Sequence, residues 1–204
     1  STITGSSSTF TFVVGDDNLP DRRVLHCHPP LEAHNRSHAI LAMDLQRLPR
    51  RQPEYSIVSP SHSVASVLQI TAPKLCQHTV GRWEIVFVLD ASYDKSLQVL
   101  KDILLSKDCQ ENAGLVRARI LVQPTAVFET SSDNLGLTLA DRPSHFYIEI
   151  QADMIVERTG WNRDLARPLF AYNDIYSVSG RCGHGQGGGW GHVGRCGTSV
   201  GELS

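Results

Sequence analysis

The sequence predicts an α/β fold with a mostly parallel central sheet and helices on both faces. Two short apolar runs, residues 84–90 and 146–153, each end in an acidic residue. Runs of this kind are typical of strands that are buried on both faces of a sheet. Segments with helical spacing of apolar residues alternate with these strands along the chain, and such alternation implies right-handed crossovers between parallel strands.

Strands and helices alternate from residue 55 onward. Predicted strands cover residues 55–60, 84–90, 117–122 and 146–151, and predicted helices cover residues 63–75, 94–105, 132–140 and 162–172. The first of these helices is expected to end near Pro73, because proline lacks the backbone N–H that a helix interior requires. Each helix is short enough to return the chain to the next parallel strand.

We divide the chain into three parts. Residues 1–54 form an N-terminal extension that packs on the core, residues 55–184 form the α/β domain, and residues 185–204 form a Gly-rich mobile tail. The extension holds one predicted helix, at residues 31–48, whose leucines and histidines recur near helical spacing. The tail is expected to be mobile because a backbone rich in glycine loses much conformational entropy when it is ordered.

Charge and hydropathy exclude two classes of partner. The 204 residues carry a formal net charge of -2, so the chain offers no basic surface for a phosphate backbone and nucleic acid is not an expected partner. No apolar stretch approaches the roughly 18 to 20 residues of a membrane helix, so we expect a soluble chain with no membrane segment. The location stays open, and a fragment of a secretory-pathway or membrane-associated enzyme would fit the same sequence.

The cysteines and histidines leave alternatives open. Five cysteines without CxxC spacing argue against a structural zinc site and against a full disulfide framework. Cys182 and Cys196 lie in two copies of Gly-Arg-Cys-Gly, so they form a disulfide or are separate buried thiols. His34 and His38 lie four residues apart on the predicted N-terminal helix, a spacing that is typical of a packed helix face. The alternative is that the two histidines bind zinc together in a zinc-stabilised interaction domain.

Acidic residues at the strand ends predict a ligand site. Asp90 ends a buried run and is followed by Ser92 and Asp94, where a helix is predicted to begin. Parallel sheets bind ligands at the carboxyl ends of their strands, so Asp90 is expected to accept hydrogen bonds from a nucleotide base or a ribose. For Ser92 and Asp94, capping of the following helix is an equal alternative.

A second group of oxygen-bearing side chains follows the last predicted strand. Glu149, Gln151 and Asp153 alternate along this segment, so their side chains project from one face. Carboxylate and amide oxygens are ligands that hard divalent cations such as Mg²⁺ or Mn²⁺ prefer. The spacing therefore predicts a cation site beside the ligand site.

Four segments resemble motifs of the inverting family 2 glycosyltransferases of the GT-A fold, a Rossmann-like nucleotide-binding architecture. Residues 83–94, WEIVFVLDASYD, resemble the family's EIIVVDDGSxD segment, and residues 55–60, YSIVSP, resemble its first strand. Residues 132–137, SDNLGL, are similar to its ARNxG helix. Residues 147–161, which run from Tyr-Ile to Gly-Trp, resemble its YIxxLDADDxxxPGW segment.

The resemblance implies a donor site built from these segments. Pro60 and Ser61 would form the wall of the nucleotide pocket, and Asp90 would accept from the uracil or guanine edge. Further candidates for donor binding are Ser92, Asp94, Asn134 and Gln151.

The resemblance also implies a divalent cation, Mn²⁺ or Mg²⁺. Asp153 would be the metal ligand that closes the DxD motif, whereas Gln151 replaces the first acid of that motif. An amide oxygen contributes no charge, so weaker metal binding or binding through water is expected. His184 is a further candidate metal ligand, by similarity to the C-terminal histidine of some GT-A enzymes.

The activity that the resemblance implies is hexosyl transfer. A sugar would pass from a nucleotide-diphospho-sugar, a UDP-sugar in preference to a GDP-sugar, to an acceptor hydroxyl of a sugar or glycan. The catalytic base is unknown, because Glu202 is the only acid after His184, and the chain is expected to lack the acceptor lobe. The alternative is a non-catalytic nucleotide-sugar or carbohydrate binding module.

Overall fold

A computed structural model describes residues 10–14, 22–27, 40–48, 52–141, 144–172, 177–182 and 196–199. The chain divides into two compact units, Ser1–Thr159 and Gly160–Ser204. Within the described residues of the first unit, the strands are β1 Phe10–Val14, β2 Arg22–Cys27, β3 Ile40–Leu48, β4 Tyr55–Ser61, β5 Trp83–Asp90, β6 Leu115–Gln123 and β7 Phe146–Glu149. The helices are α1 Ala65–His78, α2 Ser96–Leu104, α3 Lys107–Glu111 and α4 Phe128–Leu139.

These strands form one sheet in the order β1-β2-β3-β6-β5-β4-β7. The β6, β5, β4 and β7 strands are parallel, and β1, β2 and β3 extend the sheet with antiparallel pairings. Every residue of β5 is buried, so both faces of the sheet centre are covered, as parallel sheets require. Helix α4 packs on β4 and β5, and α2 packs on β6. The predicted α/β fold class is confirmed.

The N-terminal extension was predicted to contain a helix at residues 31–48, and this prediction is wrong for its last nine residues. Ile40–Leu48 is strand β3, and it pairs with β6 so that Leu45 lies opposite Ala118. Met43 and Leu45 are both buried, which is the two-residue period of a strand. Residues 31–39 lie outside the described residues, as do His34 and His38.

Helix α1 continues beyond its predicted end. It passes through Pro73 and ends at His78, and its last turns bury Leu75 and Cys76. Cys76 forms a disulfide with Cys109 of α3, with the two Cα atoms 4.9 Å apart. This pairing was not predicted from the sequence. Burial and the covalent link hold the last turns of α1 in place despite the missing backbone donor of the proline.

The second unit contains helix α5, Trp161–Ala171, and two short strands, β8 Ser179–Cys182 and β9 Cys196–Ser199. The strands pair antiparallel, and their register places Cys182 opposite Cys196. A disulfide between these two cysteines stays a prediction. His184 and the glycines between the two strands lie outside the described residues. Among the residues that the structure describes, no helix has the length and apolar character needed to cross a membrane.

Candidate functional site

A cleft of about 280 Å³ opens where β4, β5 and β7 end. Because these strands are parallel, their carboxyl ends meet at one edge of the sheet, where α/β proteins bind ligands. Sequence-predicted residues that line the cleft are Pro60, Ser61, Asp90, Gln151 and Asp153. Lining residues that were not predicted are His62, Val64, Glu129, Ser132 and Ala152.

The carboxylate of Asp90 holds the start of α4. Its two oxygens accept hydrogen bonds from the backbone N–H groups of Val127, at 2.9 Å, and Phe128, at 2.8 Å. The side chain is almost fully buried, with 6% of its surface exposed. A carboxylate at the N-terminus of a helix satisfies free backbone donors and interacts favourably with the helix dipole. Asp90 therefore occupies the position at which this helix end would otherwise attract an anion.

Ser92 and Asp94 connect the loops that precede α1 and α2. Ser92 Oγ accepts from the N–H of Ser63 at 3.0 Å. Asp94 accepts from the N–H of Ala65 and the N–H of Ser96, both at 2.9 Å, and these two residues begin α1 and α2. Slight burial raises the pKa of Asp94, but the hydrogen bonds from Ser96 and Ala65 outweigh it and lower the pKa below its ordinary value. These bonds correspond to helix capping, one of the two alternatives that the sequence left open.

The remaining predicted residues differ in their positions. Gln151 donates from its amide nitrogen to the carboxylate of Glu129, and Asp153 is exposed at the cleft. Asn134 is exposed on α4 and is not among the described residues that line the cleft. The structure thus brings Gln151 and Asp153 together, but it does not place Asn134 with them.

An acidic cluster joins α4 to the end of β7. Carboxylate oxygens of Glu129, Asp133 and Glu149 lie within 4.8 Å of one another. Burial, followed by the negative charges of Glu149 and Glu129, raises the pKa of Asp133 to about 6. Either a proton on Asp133 or a bound cation would relieve this repulsion, and an all-oxygen donor set suits a hard cation.

Three residues with strained backbones border the cleft. Ser63, Ala91 and Phe128 have φ angles of 50°, 45° and 65°, in the left-handed region that side chains other than glycine rarely adopt. Ser63 follows β4, Ala91 follows β5 and Phe128 begins α4. Such strain costs on the order of 1–3 kcal/mol per residue and is concentrated at functional sites in proteins.

His62 is a cleft residue that sequence reasoning missed. Its Nδ1 lies 2.5 Å from the backbone carbonyl oxygen of Asp90. A carbonyl oxygen can only accept, so Nδ1 is the donor and carries the hydrogen. His62 directly follows Pro60 and Ser61 in the sequence, and this proximity to two predicted site residues could have indicated that it lines the cleft.

The comparisons with known proteins give structural neighbours only. No protein-family model and no curated protein matches this sequence. Residues 1–349 of S. aureus TarS are 16% identical over 61% of this chain and 34% of that chain, with a TM-score of 0.48. The complex of TarS 1–349 with UDP-GlcNAc gives the same identity and TM-score over 33% of that chain.

The mannosyltransferase PcManGT from Pyrobaculum calidifontis, in complex with GDP-Man and Mn²⁺, is 14% identical over 58% of this chain and 33% of that chain, with a TM-score of 0.47. These neighbours are GT-A-like glycosyltransferases, the class that the sequence motifs resemble. This chain spans about a third of the length of each of these neighbours.

Proposed function

We propose that this chain is the donor-binding part of a glycosyltransferase that moves a hexose from a nucleotide-diphospho-sugar to a hydroxyl of a sugar or glycan. The observation that carries the proposal is the meeting of three motif segments at one cleft. Pro60 and Ser61 follow one strand, Asp90 ends the next, and Gln151 and Asp153 follow a third. These segments are far apart in the sequence, and the resemblance gave each of them a role in donor binding.

The charge of the cleft supports assistance by a divalent cation. Asp90, Glu129 and Asp153 line it, and none of the lining residues in the described part of the chain is lysine or arginine. A diphosphate would be repelled by these carboxylates at close range. Mn²⁺ or Mg²⁺ would offset this repulsion and, when bound, stabilise the charge of the departing diphosphate.

The residues present fit such a cation. Asp153 offers a carboxylate at the cleft, and the amide nitrogen of Gln151 is directed to Glu129, which leaves the amide oxygen of Gln151 as a donor for the metal. In this proposal Asp90 acts chiefly by fixing α4 beside the cleft, and contact between Asp90 and the base edge stays a prediction. The residue that deprotonates the acceptor is not assigned within this chain.

Calorimetric titration with UDP and with GDP, each with and without Mn²⁺, tests the proposal. We expect binding of UDP that depends on Mn²⁺ and is lost in Asp153→Asn. Glu157→Gln is the matched control, because Glu157 is an exposed acid of the same unit that does not line the cleft. A chain that binds neither nucleotide would contradict the proposal. Hydrolysis of a UDP-sugar that requires Asp153 would decide against the alternative, a non-catalytic binding module.

A further inference from the structure

We infer that Ser132 determines ligand specificity in the cleft, and that its hydroxyl receives a neutral hydroxyl group of the ligand, from either the ribose or the sugar. The inference rests on the proposed function and names the part of the site that recognises the donor. It starts from the state of the Ser132 side chain, which lines the cleft.

The hydroxyl of Ser132 is buried and unpartnered. The residue has 0% of its surface exposed, and its Oγ has no hydrogen-bond partner among the residues that the structure describes. Leaving a buried hydroxyl without a partner costs about 1–3 kcal/mol, so such groups are rare in folded proteins unless they have a functional role.

Two other hydroxyls on helices of this chain do have a partner, whereas Ser96 Oγ, at the start of α2, is buried and unpartnered among the described residues, like that of Ser132. Thr138, also on α4, donates to the carbonyl oxygen of Leu135 at 2.7 Å, and Thr71 of α1 donates to that of Val67 at 3.2 Å. Serine and threonine commonly make this bond to the preceding turn. The Ser132 hydroxyl does not make it, although the residue lines the cleft.

The backbone of α4 is held in place on both sides of Ser132. One turn before Ser132, the carboxylate of Asp90 holds the N–H of Phe128. One turn after it, Gly136 packs so closely on the sheet that a Cβ atom there would clash with Val58. Ser132 lies between these two fixed points, so the fold fixes its backbone beside the cleft, and rotation about the Cα–Cβ bond is enough to direct the hydroxyl to a ligand.

The charges near Ser132 select the kind of group that it can receive. Glu129 lies one turn earlier on α4 and lines the same cleft, and Asp133 is the next residue. A phosphate oxygen placed at Ser132 would meet these carboxylates at close range. A neutral hydroxyl avoids this repulsion and can both donate to and accept from the serine.

Ser132→Ala tests the inference, with binding and stability measured on the same protein. We expect affinity for the ligand to fall about 2- to 12-fold, the net contribution of one hydrogen bond. The midpoint of thermal unfolding should stay unchanged or rise, since the variant removes an unpartnered polar group and alanine favours a helix. Thr138→Ala is the control, because its hydroxyl is already occupied and should not affect binding. Destabilisation by Ser132→Ala would overturn the inference, because it would show that the hydroxyl has a structural partner.

The ligand series distinguishes the two sources of the hydroxyl. UDP, 2′-deoxy-UDP and UDP-GlcNAc are titrated with Mn²⁺ present. Loss of affinity for UDP but not for 2′-deoxy-UDP would place the ribose hydroxyl at Ser132, and a loss confined to UDP-GlcNAc would place a sugar hydroxyl there. Equal affinities of the wild type and Ser132→Ala for all three would overturn the inference. A wild type that binds none of them would contradict the proposed function itself.

Discussion

Replacing Asp90 with alanine should destabilise the fold, because the carboxylate fixes the start of α4. The substitution removes two charge-assisted hydrogen bonds, to the N–H groups of Val127 and Phe128. Bonds to a charged group contribute about 1.5–3 kcal/mol each. Water can reach the freed donors at this partly exposed helix end, so we take the lower value and expect a loss of about 3 kcal/mol. For a chain of this size that loss corresponds to a fall in the melting temperature of about 6–12 °C.

Urea unfolding of Asp90→Ala, beside the wild type, measures the loss. Asp153→Ala is the matched control, since Asp153 is an acid of the same cleft. Among the described residues, its side chain has no hydrogen bond or ion pair. We expect the stability of this control to lie within about 0.5 kcal/mol of the wild type. Wild-type stability in Asp90→Ala would refute the capping role. Lost UDP binding in the same variant would then favour direct contact between Asp90 and the ligand.

Three further predictions concern stability. The pKa of Asp133 is raised to about 6, so the wild type should lose stability as the pH rises from about 4 through about 6. Asp133→Asn should remove this pH dependence and, after a discount for solvent screening, be about 1 kcal/mol more stable than the wild type at pH 7. Urea unfolding of both proteins across this pH range measures the difference. Phe128→Gly should raise the melting temperature by relieving a positive φ at a side chain that is 79% exposed. The net gain is about 0.5–1 kcal/mol, because the greater chain entropy of glycine offsets part of the relieved strain. Replacing Cys76 and Cys109 by serine should cost about 3–4 kcal/mol, and a reductant should lower the urea midpoint of the wild type but not of this variant.

The centre of the sheet could be predicted from sequence because its signal is local. Strand β5 is a continuous apolar run, and such a run fits burial on both faces whatever its neighbours are. Strand β3 was mistaken for a helix because Leu41, Leu45 and Leu48 also fit helical spacing. Pairing with β6, which is distant in the sequence, decides between the two structures, and single-sequence periodicity contains no information about that partner.

The cleft was predicted in part for a similar reason. Acids at strand ends indicated Asp90 and Asp153, but Glu129 and Ser132 were missed as lining residues. Helix α4 was expected to begin at residue 132, whereas it begins at Phe128. Its N-cap, Val127, makes no side-chain capping bond, and the cap comes from Asp90, which lies 37 residues earlier than Val127. A helix start that depends on a distant carboxylate has no local capping sequence.

The dependence of α4 on Asp90 couples the ligand site to the folding of the sheet. A peptide that contains only the α4 sequence lacks its cap and, at this length, would be largely unstructured in water. One wall of the cleft therefore exists only in molecules whose β5 strand is already in place. A ligand of this cleft would bind only the folded chain and not the unfolded one. At a free ligand concentration of a hundred times Kd, it would raise the free energy of unfolding by about 2.7 kcal/mol. Thermal shift is thus a quantitative binding assay for this protein, and fragments of the chain are unsuitable substitutes for it.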